Sequence, residues 1–289
     1  MSVKILKLSV DQCPTRASSH HLVEALCSMS NLTNLTLTRY QNEEFYSTLK
    51  AKASSIQVQI LEFHVECTAP ASSQYLAEAL CSMPNLTNLK LGSYLSEEFY
   101  STLKAKASSI QVEILKLDVV ECPTPASSHH LAEALCYMPK LTDLTLQCYI
   151  NEEFFSTLTA KASSIQVKIL KLDVVKSPTP TSSHHLVESL CSMPNLIDLT
   201  LRMVLNEEFY STLKAKASSI QVQILKLYGV RCPTPASSHH LAEALCSMPN
   251  LTHLTLGMSL NEEFYSTLKT KAPSIQIQFT NNAGPDSQA

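Results

Sequence analysis

The chain repeats itself, and that constrains its fold more than any other feature. The string VKILKL at 3–8 returns as VQILEF at 58–63, VEILKL at 112–117, VKILKL at 167–172 and VQILKL at 222–227. A weaker version, IQIQFT, closes the series at 275–280, with its strand expected near Ile277. The leading valines, at 3, 58, 112, 167 and 222, are 55, 54, 55 and 55 residues apart. The short step reflects one missing residue, where FHVEC at 63–67 stands in place of LDVVEC at 117–122. Each unit also divides in two. Its second half reads NLTNLTL, then a short variable patch, then NEEFYSTLKAKASSIQ. Both halves open on L-x-x-L-x-L, with Val accepted at the first place. The true period is therefore about 27 residues, used about ten times, with an eleventh strand begun at the end.

The physics of one half is short. Its last two apolar positions are two apart and share one face of a strand. The spacing then becomes helical: Leu131, Leu135 and Met138 fall at i, i+4 and i+7 on one stripe. Ser127 and Ser128, with Ser18, Ser182 and Ser237 in other copies, are the expected helix caps. A Pro after the Met ends the helix in most copies. In the second half Asn151 is the expected cap, with Glu152 and Glu153 in the first turn and Lys161 near the end, an order that suits the helix dipole. The Phe/Tyr pairs at 45–46, 99–100, 154–155, 209–210 and 264–265 are expected to pack between layers. One strand and one short helix cannot bury their own apolar face, so the copies must stack. The fold class is α/β: a solenoid of about ten repeats, with a parallel sheet on its concave face and helices on its convex face. Residues 1–280 form it, and 281–289 are expected to be a disordered tail.

The spacing L-x-x-L-x-L followed by LAEAL-x-x-MP, in alternating halves, resembles the ribonuclease-inhibitor-like class of leucine-rich repeats over residues 1 to about 280. It is most similar to the repeat region of NLR immune receptors. The resemblance implies a horseshoe, recognition of a macromolecular ligand, and a place in innate immune sensing. The chain departs from the family pattern at the ninth position, where Asn or Cys often bonds the backbone. Here Tyr40, Tyr94, Tyr149, Val120, Val175 or Ser259 stands there, so the turns must be satisfied from elsewhere. The chain opens directly in a repeat strand without a leader or a polar capping unit, as expected either of a fragment or of a gene product lacking upstream domains.

Composition excludes several functions. A net charge of −3, with no Lys/Arg run, argues against nucleic acid. Four glycines and no GxxxxGK[ST] or GxGxxG leave no phosphate loop. No apolar run is long enough to span a membrane. Ten cysteines invite disulfides, but equivalent ones lie two stacked strands apart, roughly 10 Å at the usual spacing. Bridged cysteines need Cα atoms within about 7 Å. They read as reduced, structural thiols, which favours the cytoplasm. Cys148 differs, lying in the variable patch.

The histidine pairs at 20–21, 129–130, 184–185 and 239–240 read as surface residues, because neighbours at a helix start point apart and chelate poorly. No metal or other cofactor is expected. Sequons at Asn31, Asn34, Asn85 and Asn250 mostly coincide with the structural Asn-Leu-Thr that starts a strand. Without G-x-S-x-G, and with acids and bases in ladders instead of one cluster, no enzyme is expected.

The copies can be compared with one another. Helix strings barely vary, whereas the residues after the second-half strand vary most. The candidate partner-binding residues are Arg39, Tyr40, Ser93, Tyr94, Cys148, Tyr149, Arg202, Met203, His253 and Met258. Aromatic, Met and Arg side chains beside polar ones suit protein recognition. An exposed Ile row beside them (Ile114, Ile169, Ile224) adds apolar surface. The expected activity is non-catalytic binding of a protein or other macromolecular ligand. The alternative is an inhibitor or scaffold for one endogenous protein.

Overall fold

The structure, a computed structural model, describes residues 3–9, 15–38, 42–64, 67, 69–92, 94–121, 124–174, 178–229, 234–257 and 262–280. Strands and helices alternate throughout them. The first five strand–helix pairs are β1 (Ile5–Ser9) and α1 (Arg16–Ser28), β2 (Asn34–Thr38) and α2 (Glu43–Lys52), β3 (Ile60–His64) and α3 (Pro70–Ser82), β4 (Asn88–Leu91) and α4 (Glu97–Lys106), and β5 (Ile114–Glu121) and α5 (Pro125–Tyr137). Then come β6 (Asp143–Tyr149) and α6 (Glu152–Lys161), β7 (Ile169–Val174) and α7 (Pro180–Ser192), β8 (Asp198–Arg202) and α8 (Glu207–Lys216), β9 (Ile224–Tyr228) and α9 (Pro235–Ser247), and β10 (His253–Gly257) and α10 (Glu262–Lys271). The last strand is β11 (Gln276–Phe279). This is the α/β repeat architecture expected, a solenoid of about ten β-α repeats.

The chain forms two compact units, Met1–Phe154 and Phe155–Ala289. In the first, β1 to β6 pair side by side in chain order; in the second, β7 to β11 do the same. Every such pair is parallel, and all but β5–β6, whose register shifts between Val119 and Glu121, are in step throughout, so Asn34 faces Ile60, Ile60 faces Asn88, and Asn88 faces Ile114. The second unit repeats the register: Ile169, Asp198, Ile224 and His253 lie in one row.

Period-two alternation decides which face is which. In β3 Leu61 and Phe63 are buried, while Ile60, Glu62 and His64 are half-buried. From β2 to β10 the inner row holds buried leucines, with Phe63 beside Leu61 in β3. Phe45 and Tyr46 pack edge-on, as do Phe99 with Tyr100 and Phe209 with Tyr210, and all six are buried. Leu131, Leu135 and Met138 are likewise buried, as the helical spacing predicts.

A ladder of backbone hydrogen bonds ties the strand starts together. The carbonyl of Gln59 accepts the N–H groups of both Thr87 and Asn88, and that of Gln223 accepts those of Thr252 and His253. The Thr87 and Thr252 hydroxyls donate to the same two carbonyls. Asn85 and Asn250 donate to Gln57 and Gln221 one repeat earlier, each at 2.7 Å. Asn-Leu-Thr thus has a structural use at these sequons.

The first-half helices begin earlier than the serines suggest. Thr124, not Ser127, caps α5: its hydroxyl accepts the Ser127 N–H at 3.0 Å, and Pro125 follows at the first helical position. Thr15, Thr179 and Thr234 do the same for α1, α7 and α9. Ser127 and Ser128 lie inside α5 and are fully buried. In α5, α7 and α9 the fixed φ of the Pro at the first helical position preorganises the first turn and needs no N–H there. In the second halves Asn42, Asn151 and Asn206 cap as expected, accepting from Phe45, Phe154 and Phe209.

Candidate functional site

The outer face of each sheet is built by parity. Along β8 and beyond, Asp198, Thr200 and Arg202 point outward and half-buried, while Leu199 and Leu201 point inward. The alternation runs on past the strand. Met203 is buried at 4% exposure, Val204 is 45% exposed, and Leu205 is buried again. Met203, expected among the partner-binding residues, therefore faces the core, because it shares the parity of the leucines. In the first unit the residue matching Val204 is Tyr94, also 45% exposed. Tyr149 holds the same place at the end of β6 and is half-buried. His253, at the start of β10, is exposed, with Nδ1 2.9 Å from its neighbour's Thr252 hydroxyl. Arg39, Tyr40, Ser93 and Met258 lie outside the described residues, as does the side chain of Cys148.

The Ile row is less open than expected. Ile60, Ile114, Ile169 and Ile224 are half-buried, and only Ile5, on the outermost strand of its unit, is strongly exposed. In-step pairing sets a second-half residue such as Asn88 or Asp198 beside each internal isoleucine, and these neighbours cover its flanks.

The last outward position of each strand holds the geometry that matters most. In the first unit Ser9 faces Thr38, and the backbone N–H of Gly92 bonds the carbonyl of Phe63 beside His64. In the second, Asp173 faces Arg202, Arg202 faces Tyr228, and Tyr228 faces Gly257. The Arg202 guanidinium is 3.6 Å from the Asp173 carboxylate and lies over the Tyr228 ring, 5.7 Å from its centroid. The Tyr228 ring in turn leans over Gly257, where a Cβ would come within 2.7 Å of it. His64 leans over Gly92 in the same way. Nearby, Lys226 and Asp198 are paired at 3.0 Å.

The variable row is thus internally matched: rings sit beside glycine, and an acid sits beside arginine. His64, Asp173 and Tyr228 are the residues that sequence comparison of the second halves misses. The signal was present, since Ser9, His64, Asp118, Asp173 and Tyr228 differ at one first-half position. Variation is shared between both halves of a repeat, not confined to the second.

Farther back along the strands, two cations stand together. Lys90 and Lys116 are direct partners on β4 and β5, with Lys116 exposed. The voids between repeats are different in kind. One is lined only by apolar side chains, including Leu80, Phe99 and Met138, and its counterpart by Leu190, Phe209 and Met248. They are gaps in the core. No protein-family model matches the chain, and no curated protein matches it. No described helix is long and apolar enough to cross a membrane.

Proposed function

We propose that this chain is a leucine-rich-repeat recognition module, similar to the repeat region of NLR immune receptors, that binds a macromolecular ligand without catalysis. The observation that carries the reading is Tyr94. It is a large aromatic side chain, 45% exposed, at the place where the repeats differ most, while the layers beneath it are nearly invariant. Tyr149 and Val204 follow it at the same parity. Arg202 is held by Asp173 and Tyr228, so it can offer a preorganised guanidinium edge to an acidic or carbonyl-rich partner. The ligand class is protein, because aromatic and Arg anchors on a rigid surface are the usual hot-spot chemistry. A cytoplasmic setting suits Cys27, Cys67, Cys81, Cys136, Cys191 and Cys246, which are in no disulfide. A role in innate immune sensing follows from the resemblance alone.

The test is affinity capture with wild type against a Tyr94→Ala, Tyr149→Ala, Arg202→Ala variant. Partners held by wild type and lost by the variant support the reading. Identical captured sets would place binding elsewhere. A second reading, an inhibitor or scaffold with one fixed endogenous partner, draws on the matched pairs, which rigidify the outer row within each unit. Related gene copies that vary at 94, 149 and 204 would favour sensing, and uniform ones a fixed partner.

A further inference from the structure

The helical side carries His-His-x-x-Glu four times, at 20–24, 129–133, 184–188 and 239–243. Adjacent histidines on a helix are expected to point apart. In α5 they do not stay apart. Ligand atoms of His129, His130 and Glu133 all lie within 4.8 Å of one another, the one such group among the described residues. The two rings are 5.7 Å apart, against 6.2 Å for His20–His21 and 6.1 Å for His184–His185.

Burial sets this copy apart. The Glu133 side chain is 10% exposed, whereas its counterparts Glu24, Glu188 and Glu243 are 49%, 26% and 27% exposed. One turn on, Tyr137 replaces the serine of the other copies, and i+4 spacing places it over the same face. Nε2 of His129 is 3.2 Å from Glu133, and its Nδ1 faces Glu153 at 3.6 Å. A ligating imidazole usually has such a carboxylate behind it, fixing the tautomer. Nδ1 of His130 is buried without a hydrogen-bond partner. A cation already sits at the site, because the Lys104 ammonium contacts Glu133.

We propose that His129, His130 and Glu133 form a binding site for a divalent transition-metal ion of the zinc class, with Lys104 as the cation that holds Glu133 when no metal is bound. Two imidazole nitrogens and one carboxylate oxygen suit a borderline ion and not calcium or magnesium. Donors about 2 Å from a tetrahedral ion stand roughly 3.4 Å apart, so side-chain rotation alone closes the site and water fills the fourth position. The carboxylate has two oxygens, and a bound ion competes with Lys104 for one of them.

The experiment is calorimetric titration of the untagged, chelator-stripped full chain with zinc chloride, and visible absorption with cobalt as the spectroscopic substitute. One ion per chain and a tetrahedral cobalt spectrum are expected. A His129→Asn, His130→Gln variant should weaken binding at least about tenfold, and Lys104→Met should tighten it. A His184→Asn, His185→Asn variant should leave it unchanged. Circular dichroism checks folding, and Glu133→Gln, which keeps the side-chain shape, replaces the double variant if that one fails to fold. Absence of saturable binding would overturn the proposal. So would equal loss in the 184–185 variant, or unchanged affinity in the 129–130 variant.

Discussion

The imidazole of His64 lies across Gly92 on the neighbouring strand, so that a Cβ at Gly92 would collide with Nδ1 and stand 3.1 Å from Cε1. Gly92 does not have a positive φ, so its backbone would accept alanine. The obstacle is the ring alone. Gly92→Ala should therefore cost about 1–3 kcal/mol through overpacking. Pairing it with His64→Ser, which imitates the smaller Ser9–Thr38 pair of the first repeat, should recover most of that loss. A double-mutant cycle by urea unfolding should return a coupling of about 1 kcal/mol or more. Additive effects would mean that the ring swings aside freely.

Parity predicts opposite outcomes for two candidate contact residues. Met203 is buried and Tyr94 is 45% exposed. Met203→Ala should lower stability by about 2–4 kcal/mol, as large-to-small changes in cores do. Tyr94→Ala should change it by less than about 0.5 kcal/mol. Thermal unfolding of the two variants separates these cases. Equal losses would contradict the alternation that assigns the outer face.

Much of this was legible beforehand for one reason. Five near-identical copies of each half average out local ambiguity, so the spacing of Leu61 and Phe63, or of Leu131 and Leu135, fixes strand and helix repeatedly. The reading failed where a single residue's direction matters. The residues after Leu201 read along the chain as one variable patch, yet the strand parity runs through it, with Met203 turned inward and Val204 outward. The caps were misplaced because Ser127 fits a cap preference, while the Pro at 125 restricts the chain two residues earlier. The site was half visible. Second-half variation is read easily along the chain, but the match of Arg202 to Asp173 and Tyr228 exists only once strands are laid side by side. The convergence of His129, His130 and Glu133 depends on burial, which spacing does not encode.

The second copy of the doubled repeat lacks a cap that its siblings have. Ala69 stands where Thr124 and Thr234 cap α5 and α9, and α3 has no side-chain cap bond. Pro70 already follows, and Ala69 is in the extended region a cap requires, at φ −70° and ψ 129°. Ala69→Thr should place a hydroxyl within reach of the Ser72 N–H and stabilise the chain by about 1 kcal/mol. The check is the urea midpoint at unchanged slope. A midpoint that stays or falls would show that the shortened 63–67 segment leaves no room for the side chain.

The helix-end thiols should be unreactive and should make the fold sensitive to base. Burial pushes the Cys81 thiol up to about 12 and the Cys191 thiol up to about 11, against small opposing effects of Lys106 and Lys216. Sγ of Cys191 also points at the Lys216 carbonyl at 3.8 Å. At pH 8 only about one in a thousand to ten thousand of these thiols is ionised, against roughly a quarter of free cysteines. Site-resolved alkylation should leave Cys81 and Cys191 unmodified in the native chain and label both in urea. The sign of the pH effect follows from the raised values. The unfolded chain ionises its thiols above about pH 8.5 while the folded chain keeps these protons. Stability is therefore complete below that pH and declines as pH rises toward the folded values. Substituting Cys81→Ala and Cys191→Ala together should flatten that alkaline slope. A slope that persists unchanged would assign it to the buried tyrosines, such as Tyr46, whose ionisation burial also opposes.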